Sequence, residues 1–471
     1  LEGWLLADLD RSCPAADSAC RGPTPSGCPR LLLLLDGVPY RSIRTLYDRG
    51  RFRNFRPPAR LISVFPTLTD PAYDLLFGTG PTPGFEAGYF DRSSNRVTGA
   101  FRSYLTGRNE AWVRHADYRL SFIKDAVMYL LPRWVYRGEL RRARRILRRR
   151  LASGQPRVVL YILSTDGLAH MLLPAQLERE LARLDDWIGR LVHEHDGQLE
   201  VVVISDHGLS CLPPNCSRLR RFDLVAALRA AGLRPARRLK RPGDVAVPLF
   251  GLLDMARIHA FDAHTARLAV AALRTCPEVE LVILKGYECL EVYAGAASAV
   301  VCHQASDQLG PSYSYQPVIG DPLELAEACA TLRAAGQMNS DGFASRQAWL
   351  AATAELPFPA GPQRLWEGIF CLCREQPDIV ISLKNGWFVG SGLLSRFVRL
   401  KGTHGGPHRR ASETFAMATG LDLPSPLDLH DLGELLRQEA GWGVGIAPGT
   451  ARTCQAGDKA LRSGEFGMPL K

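Results

Sequence analysis

The chain has 471 residues, 46% of them hydrophobic, which is enough for a large core and too long for one small domain. The composition excludes a collagenous or wholly disordered chain, and no apolar run approaches the roughly 18 residues that span a membrane. The formal net charge is +10, but residues 133–150 alone hold nine Arg and one Glu, so the basic character belongs mostly to one segment.

One α/β catalytic domain with a sizeable insertion, or two domains, is the expected organisation. No secretory segment with a long apolar centre is visible. That favours the cytoplasm or a membrane surface, with a removed leader left open. None of the twelve cysteines forms a C-x-x-C pair, so structural zinc is not expected. Buried thiols are the commoner reading, and disulfides stay open.

In chain order, residues 1–29 read as an irregular extension. Three later segments share one design. Leu31–Leu35 ends in Asp36. Val158–Leu163 leads through Ser164 and Thr165 to Asp166. Val201–Ile204 leads through Ser205 to Asp206. Continuous apolar runs of this length predict strands buried on both faces, as in parallel sheets covered by helices. Between the last two, Leu177, Leu181, Leu184, Ile188 and Leu191 mark one face of a helix over 174–193, with Pro174 suited to its first turn. The expected fold is α/β: a doubly wound, mostly parallel sheet with helices on both faces.

Residues 101–155 read as a basic helical insertion. Residues 241–365 read as a second inserted cap region, with helices near 322–335 and 345–356. The core, 30–240 and 366–440, resumes with strands at Ile379–Ile381 and Phe397–Leu400, and 441–471 form a tail.

Ligands of open α/β sheets bind beyond the carboxyl ends of the strands, where Asp36, Asp166 and Asp206 are expected. Three converging carboxylates repel and raise one another's pKa values unless a cation holds them. His207 follows Asp206, His170 lies four residues after Asp166, and His404 sits in a Gly-rich loop. A single Asp after a strand is usually a turn former or cap; the conjunction carries the case. This mixed nitrogen and oxygen set suits two divalent metals such as zinc, with manganese or iron as alternatives. Thr69, before Asp70-Pro71, reads as a helix N-cap. A hydroxyl at a helix N-terminus beside a metal is also placed to attack phosphorus.

These segments resemble the alkaline phosphatase superfamily, in particular its nucleotide pyrophosphatase/phosphodiesterase branch. The resemblance rests on Asp36-Gly37; on Pro66-Thr67-Leu68-Thr69 with Pro71 and Thr79-Gly80; on Asp166 with His170; on Asp206-His207-Gly208; and on Gly402-Thr403-His404-Gly405. It implies that Asp36, Asp206 and His207 bind one metal, which also contacts Thr69, and that Asp166, His170 and His404 bind the other. Thr69 then attacks in line and forms a phosphothreonine that water hydrolyses. There are departures. Where that branch usually has an Asn shortly after the nucleophile, an ungapped match puts Ala72, so that phosphoryl contact must come from elsewhere. Leu68 stands where Lys is frequent, and the sulfatase nucleophile pattern is absent.

The expected function is therefore hydrolysis of an anionic phosphate ester, as a phosphodiesterase or nucleotide pyrophosphatase. A phosphomonoesterase or phosphonate hydrolase with the same site is the alternative, and a metal-bound scaffold without turnover is the rival of another class. Residues 126–151 mix apolar side chains with Arg. They read as a solvated helix face, as an amphipathic helix on an anionic membrane, or as a cover attracting a polyanionic substrate; nucleic acid is a further option, with no specific nucleic-acid motif present.

Overall fold

The three apolar runs become neighbouring strands of one sheet in a computed structural model that describes residues 28–99, 111–120, 127–214, 216–305, 310–390, 398–438 and 442. Almost all of the N-terminal extension, with Cys13 and Cys20, parts of the 101–155 insertion, Phe397 and nearly all of the tail lie outside the described residues. The sheet contains β1 (Arg30–Leu35), β2 (Ala59–Ile62), β3 (Arg157–Ile162), β4 (Glu200–Ser205), β5 (Glu413–Ala418) and β6 (Leu427–Asp428), in the order β6-β2-β5-β4-β1-β3. β1 runs parallel to both β3 and β4, with Leu35 opposite Ile162 and Ser205. β6 is parallel to β2, while β5 is antiparallel to β2 and β4. The register sends Asp36, Asp166 and Asp206 off the same edge of the sheet.

Alternation explains why the runs are apolar at every position. Leu31, Leu33 and Leu35 pack with Val158, Leu160, Val201 and Val203 on one face. Leu32 and Leu34 pack with Val159, Tyr161, Val202 and Ile204 on the other. The first face is covered by α1 (Tyr40–Asp48), α3 (Pro132–Ala152) and α5 (Pro174–Glu194), and the second by α2 (Thr69–Phe77) and the helix Leu429–Gln438. α4 (Ser164–Met171) leaves the end of β3 and carries Asp166 and His170. α5 matches the helix expected from its leucine spacing, and all five marker residues are buried.

A second, nine-stranded sheet gathers strands from Arg234–Pro235 to Ile379–Leu383. Here the structure corrects the sequence reading. Ile379–Leu383 does not return to the first sheet but pairs antiparallel with Met255–Ala260 and Val279–Lys285. A β-branched apolar run states that a strand is buried, not which sheet buries it. Val398–Leu400 form no strand; the chain pairs only at Gly402–Thr403, against Ser210–Cys211. The expected inserted helices are shorter, Ala326–Ala334 and Arg346–Thr353.

Cys289 and Cys302 lie opposite one another on adjacent strands and form a disulfide. The sequence leaves disulfides open, and this pair forms one. Cys329 and Cys373 are buried thiols.

α3 buries Val135, Tyr136, Leu140, Ala143 and Leu147. Its one acid, Glu139, accepts hydrogen bonds from the backbone N–H of Ser164, at 2.9 Å, and from the Ser164 hydroxyl, at the start of α4. Burial pushes the Glu139 carboxyl up to about 7 despite these donors. The folded chain therefore holds this proton more tightly than the unfolded chain, where the group has an ordinary carboxylate pKa. Its stabilising contribution is complete below that ordinary range and is lost as pH rises through about 7. Glu139→Gln is expected to remove about 3 kcal/mol of the stability difference between pH 5 and pH 8. Urea unfolding of both proteins at the two pH values checks this; identical pH dependence would contradict it.

Candidate active site

The loops that leave β1, β3 and β4 are laced together before any side chain faces solvent. Asp36 N–H donates to Thr165 Oγ1 at 2.8 Å, Gly37 N–H to Asp206 Oδ1 at 3.0 Å, and Val38 N–H to Ser205 Oγ at 2.9 Å. Asp206 Oδ1 also accepts the His207 N–H at 2.8 Å. The side chains of Asp36, Asp166, His170, Asp206, His207 and His404 are all buried.

Two groups result. Asp36, Asp206 and His207 form one, and Asp166, His170 and His404 the other; in each, the candidate ligand atoms lie within 4.8 Å of one another. His207 and His404 stack with ring centroids 3.8 Å apart, so the groups are adjacent.

The histidine hydrogen bonds all have one sense. Nδ1 of His170 lies 2.7 Å from Gly402 O, Nδ1 of His207 lies 2.9 Å from Gly208 O, and Nδ1 of His404 lies 2.7 Å from Thr67 O. A carbonyl only accepts, so Nδ1 carries a hydrogen, and each ring turns its Nε2 inward. These Nε2 atoms face carboxylates: His170 Nε2 is 3.0 Å from Asp166 Oδ1, and His207 Nε2 is 3.5 Å from both Asp36 Oδ1 and Asp206 Oδ2.

A divalent cation in each group fits these residues. Asp166 Oδ1, Asp206 Oδ2 and His207 Nε2 are buried and have no hydrogen-bond partner among the described residues, a costly state unless something else satisfies them. Burial, then the charges of Asp206 and Asp166, push the Asp36 carboxyl well above the usual range. Burial also raises Asp206. Asp166 goes the other way: burial would raise it, but His170 and His404 outweigh burial and lower it. Burial, then His207 and His170, hold His404 well below the usual histidine range, so it stays neutral. One group offers two carboxylates and an imidazole, the other a carboxylate and two imidazoles, both suited to a borderline divalent metal.

Thr69 corrects its sequence reading in one respect. The N-cap of α2 is Leu68, without a side-chain cap bond, and Thr69 is the first helical residue. Its hydroxyl is turned instead to Asp36, with Oγ1 donating to Oδ2 at 3.3 Å. Thr67 braces a neighbouring loop. Its Oγ1 accepts the Gly405 N–H at 2.7 Å and donates to Gly406 O at 3.2 Å, which ties down the segment carrying His404. Ala72 is fully buried in the core, so that position presents nothing to the site.

Two motif glycines have steric reasons. A Cβ on Gly208 would lie 2.3 Å from Glu413 O, and Gly405 has φ +119° with a Cβ position 2.6 Å from Met255 Cγ. His408 hydrogen-bonds Arg410 N–H at 3.2 Å and belongs to neither group.

Several positioning residues had no signal in the sequence reading. Asp254 accepts the Gly406 N–H at 2.6 Å and donates its own N–H to His404 O at 3.0 Å. Arg364, fully enclosed, clasps the backbone carbonyls of Ser63, Val64 and Pro407 on the two loops that carry Thr69 and His404. Tyr161 donates to Asp36 Oδ2, and Tyr129 to Asp166 Oδ2 at 2.7 Å. Such partners orient ligating groups. Tyr161 could have been found as the one polar side chain inside an apolar strand.

Residues 89–277 match the family model of type I phosphodiesterase/nucleotide pyrophosphatase. That stretch contains Asp166, His170, Asp206 and His207; Asp36, Thr69 and His404 lie outside it. Among solved structures, the chain is similar to phosphonoacetate hydrolase from Sinorhizobium meliloti 1021, at 13% identity over 86% of this chain and 94% of that one, with a TM-score of 0.47. It is also similar to the murine and human ectonucleotide pyrophosphatase/phosphodiesterase 5, each at 12% identity over 87% of this chain and 94% of the other, with TM-scores of 0.45 and 0.44. No curated protein matches the chain. Over residues 89–277 the chain is thus similar to the type I phosphodiesterase/nucleotide pyrophosphatase family, a likeness that includes one residue pair from each of the two ligand groups, Asp206 with His207 and Asp166 with His170.

Proposed function

We infer that the chain hydrolyses a phosphate diester or nucleotide pyrophosphate bond, with Thr69 as nucleophile and two divalent cations held by the two ligand groups. The observation that carries this reading is the shared orientation of three histidines, each with Nδ1 on a carbonyl and Nε2 turned toward carboxylates. Zinc is the preferred metal on the donor set. When bound, the cations supply Lewis-acid charge to the reacting oxygens and make the threonine hydroxyl a better nucleophile.

The chain's own residues do the rest. Asp36, buried at the end of β1, holds the Thr69 hydroxyl by its hydrogen bond. The N-terminus of α2 favours an anion beside Thr69. Thr69 Oγ forms a bond to phosphorus as the bond to the leaving alcohol or phosphate oxygen breaks. Water then attacks the phosphothreonine and returns the free hydroxyl, with phosphate or its monoester as product. The second sheet, which packs its core against Phe65 and Leu68 just before Thr69, is read as the cap that selects the substrate.

Metal-supplemented hydrolysis of a nitrophenyl phosphate diester against the monoester, with Thr69→Ala as blank, tests this. The diester is expected to be the better substrate. A preference for the monoester would move the chain to the phosphatase side of its superfamily, and inertness toward both with metals bound would favour the scaffold reading.

A further inference from the structure

An amphipathic helix over 126–151 could give its apolar face to a membrane, but the fold uses that face itself, burying Val135, Tyr136, Leu140, Ala143 and Leu147. What remains outside is of another kind. Leu130 and Leu131, in the turn before α3, are 65% and 55% exposed, and Trp134, in its first turn, is 63% exposed. Beside them runs a groove of about 830 Å³, bordered by Arg133, Arg137, Arg141 and Arg144 of α3 and by Arg183 and Arg190 of α5.

The acids at this face are too few to neutralise it. Glu180 alone serves Arg133, Arg137 and Arg183, at 3.5, 3.0 and 3.2 Å. Glu194 serves Arg144 and Arg148. Arg141 and Arg190 have no acidic partner among the described residues, so seven guanidinium groups face two carboxylates. The same turn reaches the catalytic side of the molecule. Met128 packs against α4 where a Cβ on Gly167 would come within 3.0 Å of it, and Tyr129 donates to Asp166 Oδ2 at 2.7 Å.

We propose that this surface docks on an anionic lipid bilayer, with Leu130, Leu131 and Trp134 entering between headgroups and the surrounding arginines meeting lipid phosphates and carboxylates. The charge would suit any polyanion; the apolar apex decides among them. A nucleic-acid backbone offers no partner to two leucines and an indole, whereas a bilayer presents negative headgroups directly over an acyl layer. Trp and Arg are the side chains that reside at such a boundary. The contact between Tyr129 and Asp166 places the docked face next to the metal groups. The docking itself does not depend on the hydrolytic reading, and Thr69→Ala is expected to dock like the wild type.

Sedimentation of the full chain with vesicles tests the proposal. Vesicles of phosphatidylcholine containing about 30% phosphatidylserine are expected to bind the chain about tenfold or more tightly than phosphatidylcholine alone. The triple substitution L130S/L131S/W134S and, separately, R141E/R190E are each expected to weaken that binding about tenfold or more. All five side chains are exposed, so the variants should keep the wild-type circular dichroism spectrum. Absence of wild-type binding, equal binding to both vesicles, or an unaffected apolar triple variant would overturn the proposal. So would tighter binding to a DNA duplex than to the anionic vesicles.

Discussion

Thr69→Ala is expected to reduce turnover by roughly three orders of magnitude or more, because it removes the hydroxyl proposed to attack phosphorus. Thr67, the nearest candidate in sequence, already spends its hydroxyl on the Gly405 N–H and Gly406 O. Metal content should not change in this variant. Asp36 keeps its bond from Tyr161, and Asp206 keeps those from Gly37 and His207. Thr69→Ser should retain much of the activity, since it preserves the hydroxyl. The check is a steady-state assay on the diester together with mass spectrometry of acid-quenched reactions, where the wild type should carry on Thr69 a phosphoryl group that keeps the remaining ester substituent. Near-normal activity in Thr69→Ala would mean that another group attacks phosphorus.

The second large effect is metal removal. Three buried carboxylates share the edge of the sheet, and Asp36 is pushed well above the usual range by burial and by the charges of Asp206 and Asp166. Without cations the neighbouring histidines and hydrogen bonds such as those from Tyr161 and Thr69 are left to offset this repulsion. Chelation is therefore expected to bring hydrolysis to background and to cost about 3 kcal/mol or more of stability, read as a lower Tm. Both should recover when the metal is restored. A chelated chain with unchanged Tm and activity would show that the two groups hold nothing the protein needs.

Much of this site was legible in the sequence because strand ends are easy to read. Runs such as Leu31–Leu35 must be buried on both faces, and the next polar residue must emerge at the rim. That logic places Asp36 and Asp206, and one helical turn places His170 near Asp166. What the sequence could not yield was whatever depends on a distant segment. Asp254 and Arg364 act through contacts to loops far away in the chain, and nothing in their own neighbourhoods marks them. Thr69 shows the limit from the other side: its residue type and position suit a cap, yet its hydroxyl is turned to Asp36 and Leu68 occupies the capping position. Ile379–Leu383 shows that local pattern assigns a state, not a sheet. The Arg-rich helix was visible as amphipathic, but which face the core would claim depended on α3 packing with α4, α5 and β3.

The most direct test is metal analysis of the chain purified without chelator, with Asp206→Asn and His404→Ala alongside. We expect about two divalent ions per wild-type chain and a loss of about one in each variant, with activity falling in parallel. A wild-type chain that hydrolyses the diester at full rate while holding almost no metal would contradict the two-cation site.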